Sequence, residues 1–234
     1  MMKKTKKSLL GFVLLLFLIC DLLHHQIYKT PLYISVFSMI QQEKYYIHID
    51  LDDHILYLFH EGKVEKKYPV SSGRQDTPSP IGTWKIISKS NWGEGFGGSW
   101  MGLNVPWGKY GIHGTNEPWS IGRSMSHGCI RMYNADAKEL RKIVPAGTKV
   151  TIVKGPYGPF GNHFRTLKPG DRGSDIFAVQ KRLKDLGYYN GYPDGIYGDG
   201  MKYAVHRFQK DHHLYIQNDI TTSMYEAMGF LPFE

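Results

Sequence analysis

Cys129 stands in the run Ser126-His127-Gly128-Cys129-Ile130-Arg131-Met132, and His113 stands sixteen residues earlier in Gly111-Ile112-His113-Gly114-Thr115. A thiol and an imidazole supply a nucleophile and its base once a strand end and a returning loop bring them together. The thiol needs that help, because a free cysteine ionises only near ~8.5 without a base or a positive neighbour. Gly128 lets the backbone approach a ligand closely. Consecutive N–H groups around Gly128 and Cys129 can hold an oxyanion. His127 is a second imidazole, so two bases stand as candidates. The bland alternatives are an inert buried thiol and a satisfied core histidine. Cysteine usage favours chemistry: the only other cysteine, Cys20, lies in an apolar N-terminal run, so a Cys129 placed outside the cell has no natural partner.

The surrounding segments read as strands. Ile47, Ile49 and Leu51 alternate with His48 and Asp50, the period of a half-buried strand. Ile55 to Phe59, Val64 to Val70, Trp84 to Ile87 and Lys149 to Val153 read likewise, with Glu61-Gly62-Lys63 as a turn. Asn134 to Val144 is the one clear helix, with Asn134 as its cap and Pro145 and Gly147 as its stop. The expectation is a mainly β domain over 45–154, a sandwich or partly open barrel with one helix. Residues 91–109 hold six Gly and three Trp and read as aromatic loops; Trp92, Trp100 and Trp107 either line the cleft or pack the core.

Residues 155–164 (GPYGPFGNHF) read as a linker. Beyond it, 165–234 holds an apolar face of Ile176, Val179, Leu183 and Leu186, a compact YPDGIYGDG turn, a helix with Ala204, Val205 and Phe208 inward, and a third helix capped at Thr221 or Thr222. This is a small all-α three-helix bundle. His206, His212 and His213 lack metal-ligand spacing and read as surface residues. Half of the +8 charge sits at the start, where four Lys fall within residues 1–8; residues 9–164 carry 16 basic and 12 acidic residues, and 165–234 nine of each. No basic stripe remains for nucleic acid.

Lys3, Lys4, Lys6 and Lys7 precede the twelve apolar residues Leu9 to Cys20. That pattern reads as a single N-terminal membrane anchor over 1–23, with the lysines cytoplasmic. No small-residue cleavage site follows, and Ile19 before Cys20 argues against a lipoprotein. Residues 24–44 read as a stalk.

Two resemblances sharpen these readings. Leu167-Lys168-Pro169-Gly170-Asp171-Arg172-Gly173, Val179-Gln180-Lys181-Arg182-Leu183, Leu186-Gly187-Tyr188, Asp194-Gly195-Ile196-Tyr197-Gly198 and Ala204-Val205 before Phe208-Gln209 resemble the three-helix peptidoglycan-binding domain of bacterial cell-wall enzymes. His113 followed by SHGCIR, together with Thr77-Pro78 and Gly82-Thr83-Trp84, resembles the L,D-transpeptidase catalytic domain over residues 45–154.

The second resemblance implies roles. Cys129 is the nucleophile, His113 the base, and the Gly114 carbonyl its orienting group. His127, Gly128 and Cys129 form the oxyanion pocket, supported by Ser126. Arg131 holds a substrate carboxylate or braces the loop, and Trp119 belongs to a substrate-contacting lid over 114–125. It also implies an acyltransferase that joins donor and acceptor peptidoglycan stem peptides with release of D-Ala, using no metal or cofactor. Its partners are then the cell wall and, through the N-terminal segment, the membrane, with no nucleic acid. Its place is the extracytoplasmic face of a bacterial membrane. The competing readings are an L,D-carboxypeptidase, with water as acceptor, and a non-catalytic wall-binding protein. A papain-like peptidase fits less well, since there the Cys precedes the His.

Overall fold

The computed structural model describes residues 44–230. The anchor and stalk expected over 1–23 and 24–44 lie outside the described residues, apart from Lys44. Among the described residues no helix is long and apolar enough to cross a membrane.

Ten strands follow in chain order: β1 (Tyr45–Asp50), β2 (Ile55–His60), β3 (Lys63–Pro69), β4 (Ser72–Gly73), β5 (Gly82–Ser90), β6 (Trp100–Leu103), β7 (Tyr110–Gly114), β8 (Ser124–Ser126), β9 (Ile130–Met132) and β10 (Lys149–Val153). The first three form the expected meander. Ile47 and Ile49 of β1 and Leu56 and Leu58 of β2 point inward, fully buried. Asp50 Oδ1 accepts the amides of Asp52 and Asp53, and Glu61 and Gly62 both take positive φ, as a two-residue hairpin turn requires. β3 is an edge strand that carries Lys63, Lys66 and Lys67, charges that discourage edge-to-edge pairing.

Eight strands form one mixed sheet in the order β3-β2-β1-β10-β5-β6-β7-β9. β10, last in sequence, inserts parallel to β1 and antiparallel to β5. Beyond the ends of the β3–β9 sheet, Ser71 and Arg131 exchange two backbone hydrogen bonds at 2.8 and 2.9 Å, so the sheet curls toward closure. The partly open barrel is the form observed. β4 and β8 pair separately and hold the two loops that flank Cys129.

α1 (Asn134–Ile143) buries Ala137 and Leu140 on the sheet. Its cap differs from expectation. Tyr133 occupies the N-cap position, and Asn134 instead accepts the Thr115 amide at 2.7 Å. The side chain that was to close the helix fastens the segment after β7.

The C-terminal helices are α2 (Ser174–Asp185), α3 (Asp199–Asp211) and α4 (Thr222–Ala227). Their core is Val179, Leu183, Val205, Phe208 and Met224, with Leu167 and Ile220 beneath. Buried Gln180 spends its whole amide on the turn before α3: it accepts from the Asp194 and Gly195 amides and donates to Asp194 Oδ1 and the Ile196 carbonyl. Residues 155–164 are packed: Phe160 and Phe164 lie 5.4 and 4.8 Å from the ring of Tyr225. The bundle also meets the β domain, since Phe177 and Ile196 pack on the core formed by Trp84 and Trp107.

Candidate active site

β7 and β9 run parallel, with Ile112 opposite Ile130 and His113 opposite Arg131. Cys129, one residue before β9, therefore flanks Gly111 and is a diagonal neighbour of His113 across the pair, within reach for long side chains. Order in the chain says nothing of this; the parallel register makes it.

His113 is 5% exposed. Its Nδ1 lies 2.5 Å from the Gly114 carbonyl oxygen. A carbonyl only accepts, so Nδ1 carries the proton and Nε2 keeps its lone pair. Burial pushes the imidazole pKa down to about 4; the Gly114 carbonyl opposes this and Arg131 adds to it. Phe96 meets the ring edge-on at 4.8 Å and Trp100 stacks on it at 5.7 Å. Lys109 Nζ caps the neighbouring Trp92 ring at 3.8 Å. Trp100 and Trp107 are buried, and Trp100 does both jobs considered for it: it fills the core and walls the histidine.

Cys129 is partly exposed and free. Burial pushes its thiol pKa up, offset in part by a hydrogen bond from the Gly111 backbone and by Arg131. The resting pair is thus a neutral thiol beside a neutral imidazole.

The loop before Cys129 is held from three sides. Ser126 donates to the Cys129 carbonyl at 2.6 Å and accepts the Gly128 amide at 3.0 Å. Thr77 Oγ1 donates to the Ser126 carbonyl, as does the Arg74 amide. Gly73 donates to Ser79 Oγ, and the Trp84 indole donates to the Pro80 carbonyl. The Thr77-Pro78 and Gly82-Thr83-Trp84 segments thus buttress the thiol loop. Gly128 has φ of 108°, a conformation that only glycine adopts at little cost. Its amide is engaged by Ser126 Oγ, and His127 beside it is exposed.

Arg131 Nη1 donates to Glu117 Oε2 at 2.5 Å and reaches Ser120 Oγ at 3.4 Å. Both contacts tie Arg131 to the segment over 114–125. The segment over 114–125 is also pinned by Gly122 on the Val70 carbonyl and Ser72 on the Arg123 carbonyl. Trp119 stands on its surface, 58% exposed. Reasoning from sequence missed Tyr110, whose ring covers Gly128, and Glu117. The aromatic at the start of a Gly-Ile-His-Gly strand was the signal for the first; nothing marked the second.

Two parts of the chain match known families. Residues 44–152 match the family described as L,D-transpeptidase catalytic domain, and residues 172–216 match the one described as putative peptidoglycan binding domain. The "Putative L,D-transpeptidase YkuD" of Bacillus subtilis is 45% identical over 109 residues, and that of Bacillus licheniformis 43%. The match takes in 46% of this chain and 65% of each relative. The NMR structure of the catalytic domain from the E. faecium L,D-transpeptidase is 28% identical, covering 48% of this chain and 98% of its own, with a TM-score of 0.42.

Proposed function

We propose that this chain, which carries an L,D-transpeptidase catalytic domain over 44–152 followed by a putative peptidoglycan binding domain over 172–216, cross-links peptidoglycan stem peptides through an acyl-enzyme on Cys129. The observation that carries the reading is the His113–Gly114 hydrogen bond, which fixes a neutral imidazole with a free Nε2 on the strand next to Cys129.

In this reading the Cys129 proton passes to His113 Nε2 as the sulfur attacks the carbonyl that precedes the terminal D-Ala of a donor stem. The oxyanion is met by the Cys129 amide, aided by that of His127. Collapse breaks the C–N bond. His113 returns the proton to the departing D-Ala amine, leaving a thioester. An amine of an acceptor stem attacks the thioester, its proton passing by way of His113 to the released sulfur, and a new amide joins the two stems. Trp119, on the surface of the 114–125 segment, contacts an incoming stem.

The bundle over 165–234 holds the enzyme on the wall, and the basic, apolar N-terminus keeps it at the outer face of the membrane. Product analysis on purified tetrapeptide stems tests the activity. A cross-linked dimer with free D-Ala is expected. A trimmed monomer alone would make the chain a carboxypeptidase, and unchanged stems would leave it a binding protein.

A further inference from the structure

The peptide unit between Gly114 and Thr115 is held at both ends. Its carbonyl, that of Gly114, accepts from His113 Nδ1 at 2.5 Å. Its N–H, that of Thr115, donates to Asn134 Oδ1 at 2.7 Å. The unit is trans, so its carbonyl and its N–H point in opposite directions within one plane. An acceptor that fixes the N–H therefore fixes the direction in which the carbonyl meets the imidazole.

That direction needs fixing. The group that orients the base is a backbone carbonyl, and the residue that carries it is a glycine, whose backbone torsions are the least restrained of any residue. On one side the Gly114 amide donates to the Ser99 carbonyl at 3.3 Å, across β6 and β7. On the other side Asn134 supplies the hold. Gly114 and Gly97 both make room for it: a β-carbon at Gly114 would fall 2.5 Å from Asn134 Oδ1, and one at Gly97 1.9 Å. Phe96, next to Gly97, is the ring that meets His113 edge-on at 4.8 Å. The carboxamide is thus wedged between the strand end that carries the base and the loop that walls it. Asn134 is otherwise an exposed residue, so its side chain fills no core. It opens α1 five residues after Cys129, and one short stretch of chain carries both the thiol and this acceptor.

We propose that Asn134 is a positioning residue for the base: by holding the Thr115 amide it sets the Gly114 carbonyl on His113 Nδ1 and so keeps the lone pair on Nε2. The two hydrogen bonds run in series through one peptide, and each polarises the other. The catalytic consequence rests on the transpeptidase reading; the effect on the imidazole does not.

The test joins two measurements on the full chain. Nitrogen-15 NMR without substrate reads the His113 tautomer, and the rate of Cys129 acylation by a tetrapeptide stem reads its consequence. In the unaltered chain Nδ1 should carry the proton. Asn134→Ala, and Asn134→Leu with similar size but no acceptor, should shift the ring toward a mixture of the two tautomers. Both should slow maximal acylation by about tenfold, with the stem concentration for half-maximal rate unchanged. Asn134→Asp keeps an acceptor oxygen in place and should restore the tautomer and most of the rate. A fixed Nδ1–H tautomer in Asn134→Leu overturns the proposal, whatever the rate. So does a loss in Asn134→Asp equal to that in Asn134→Ala. If no stem acylates the unaltered chain, the transpeptidase reading fails, and the tautomer comparison still decides the role of Asn134.

Discussion

Tyr110 lies with its ring edge over the α-carbon of Gly128. A β-carbon at Gly128 would fall 2.7 Å from Tyr110 Cε1 and 3.1 Å from the Pro78 carbonyl oxygen. The positive φ there adds backbone strain for any other residue. Gly128→Ala should therefore lower stability by about 1–3 kcal/mol. It should cut acylation by more than its effect on folding, since Cys129 moves with the loop. Thermal unfolding and acylation rates on one preparation check both. Tyr110→Ala should relieve the clash and restore part of the stability.

The histidine gives a pH signature. Its buried imidazole stays neutral down to about pH 4, whereas in the unfolded chain it takes up a proton near ~6.5. Between those values the unfolded state binds more protons, so stability falls as pH drops from ~6.5 to 4 and is fully present above that window. The whole shift corresponds to roughly 3 kcal/mol. Denaturant titrations from pH 7 to 4 should show the loss, and His113→Gln should flatten it. Acylation should hold level across pH 5 to 8, because the base is already neutral there.

His113→Ala and His127→Ala should part by profile and not only by rate. Without His113 the thiol keeps a pKa raised by burial, so residual acylation should climb with pH beyond the ordinary thiol value of ~8.5. His127→Ala disturbs the loop that presents the amides and should lower the rate at every pH without moving the profile. The opposite pattern would exchange the two roles.

Glu117 and Arg131 couple the 114–125 segment to β9. Glu117→Gln removes the charge from a pair in which Arg131 is largely buried and Glu117 partly exposed. The cost should be about 1 kcal/mol, at the low end for a buried pair because water reaches the carboxylate. Amide exchange over 115–123 should quicken while the β1–β2 hairpin stays protected.

The hairpin strands were legible because one face of each is more open: Ile47 and Ile49 alternate with Tyr46, His48 and Asp50, and buried Leu56 and Leu58 with the half-buried Ile55, Tyr57 and Phe59. β6 and β7 were not. Trp100–Leu103 is buried at all four positions and Tyr110–Gly114 at four of five, so the period-two signal vanishes and glycine makes them look like loops. The thiol and both histidines stood out by residue type and spacing. The diagonal across β7 and β9 depends on a parallel register that alternation cannot encode. The diversion of Asn134 to Thr115 was hidden because an Asn before a helix satisfies a cap equally well on paper. The docking of the bundle was hidden too, since Phe177 and Ile196 lie outside the apolar stripe of Ile176, Val179 and Leu183 that defines its own core.

The proposed chemistry requires a thioester at Cys129. The direct measurement is the intact mass of the full chain after mixing with a tetrapeptide stem. It should rise by the mass of the tripeptide acyl group, with one D-Ala released per adduct and the label on the peptide containing Cys129. The adduct should be absent in Cys129→Ala and slow to form in His113→Ala. An unchanged mass under conditions where the stem binds, or the same adduct in Cys129→Ala, would contradict it.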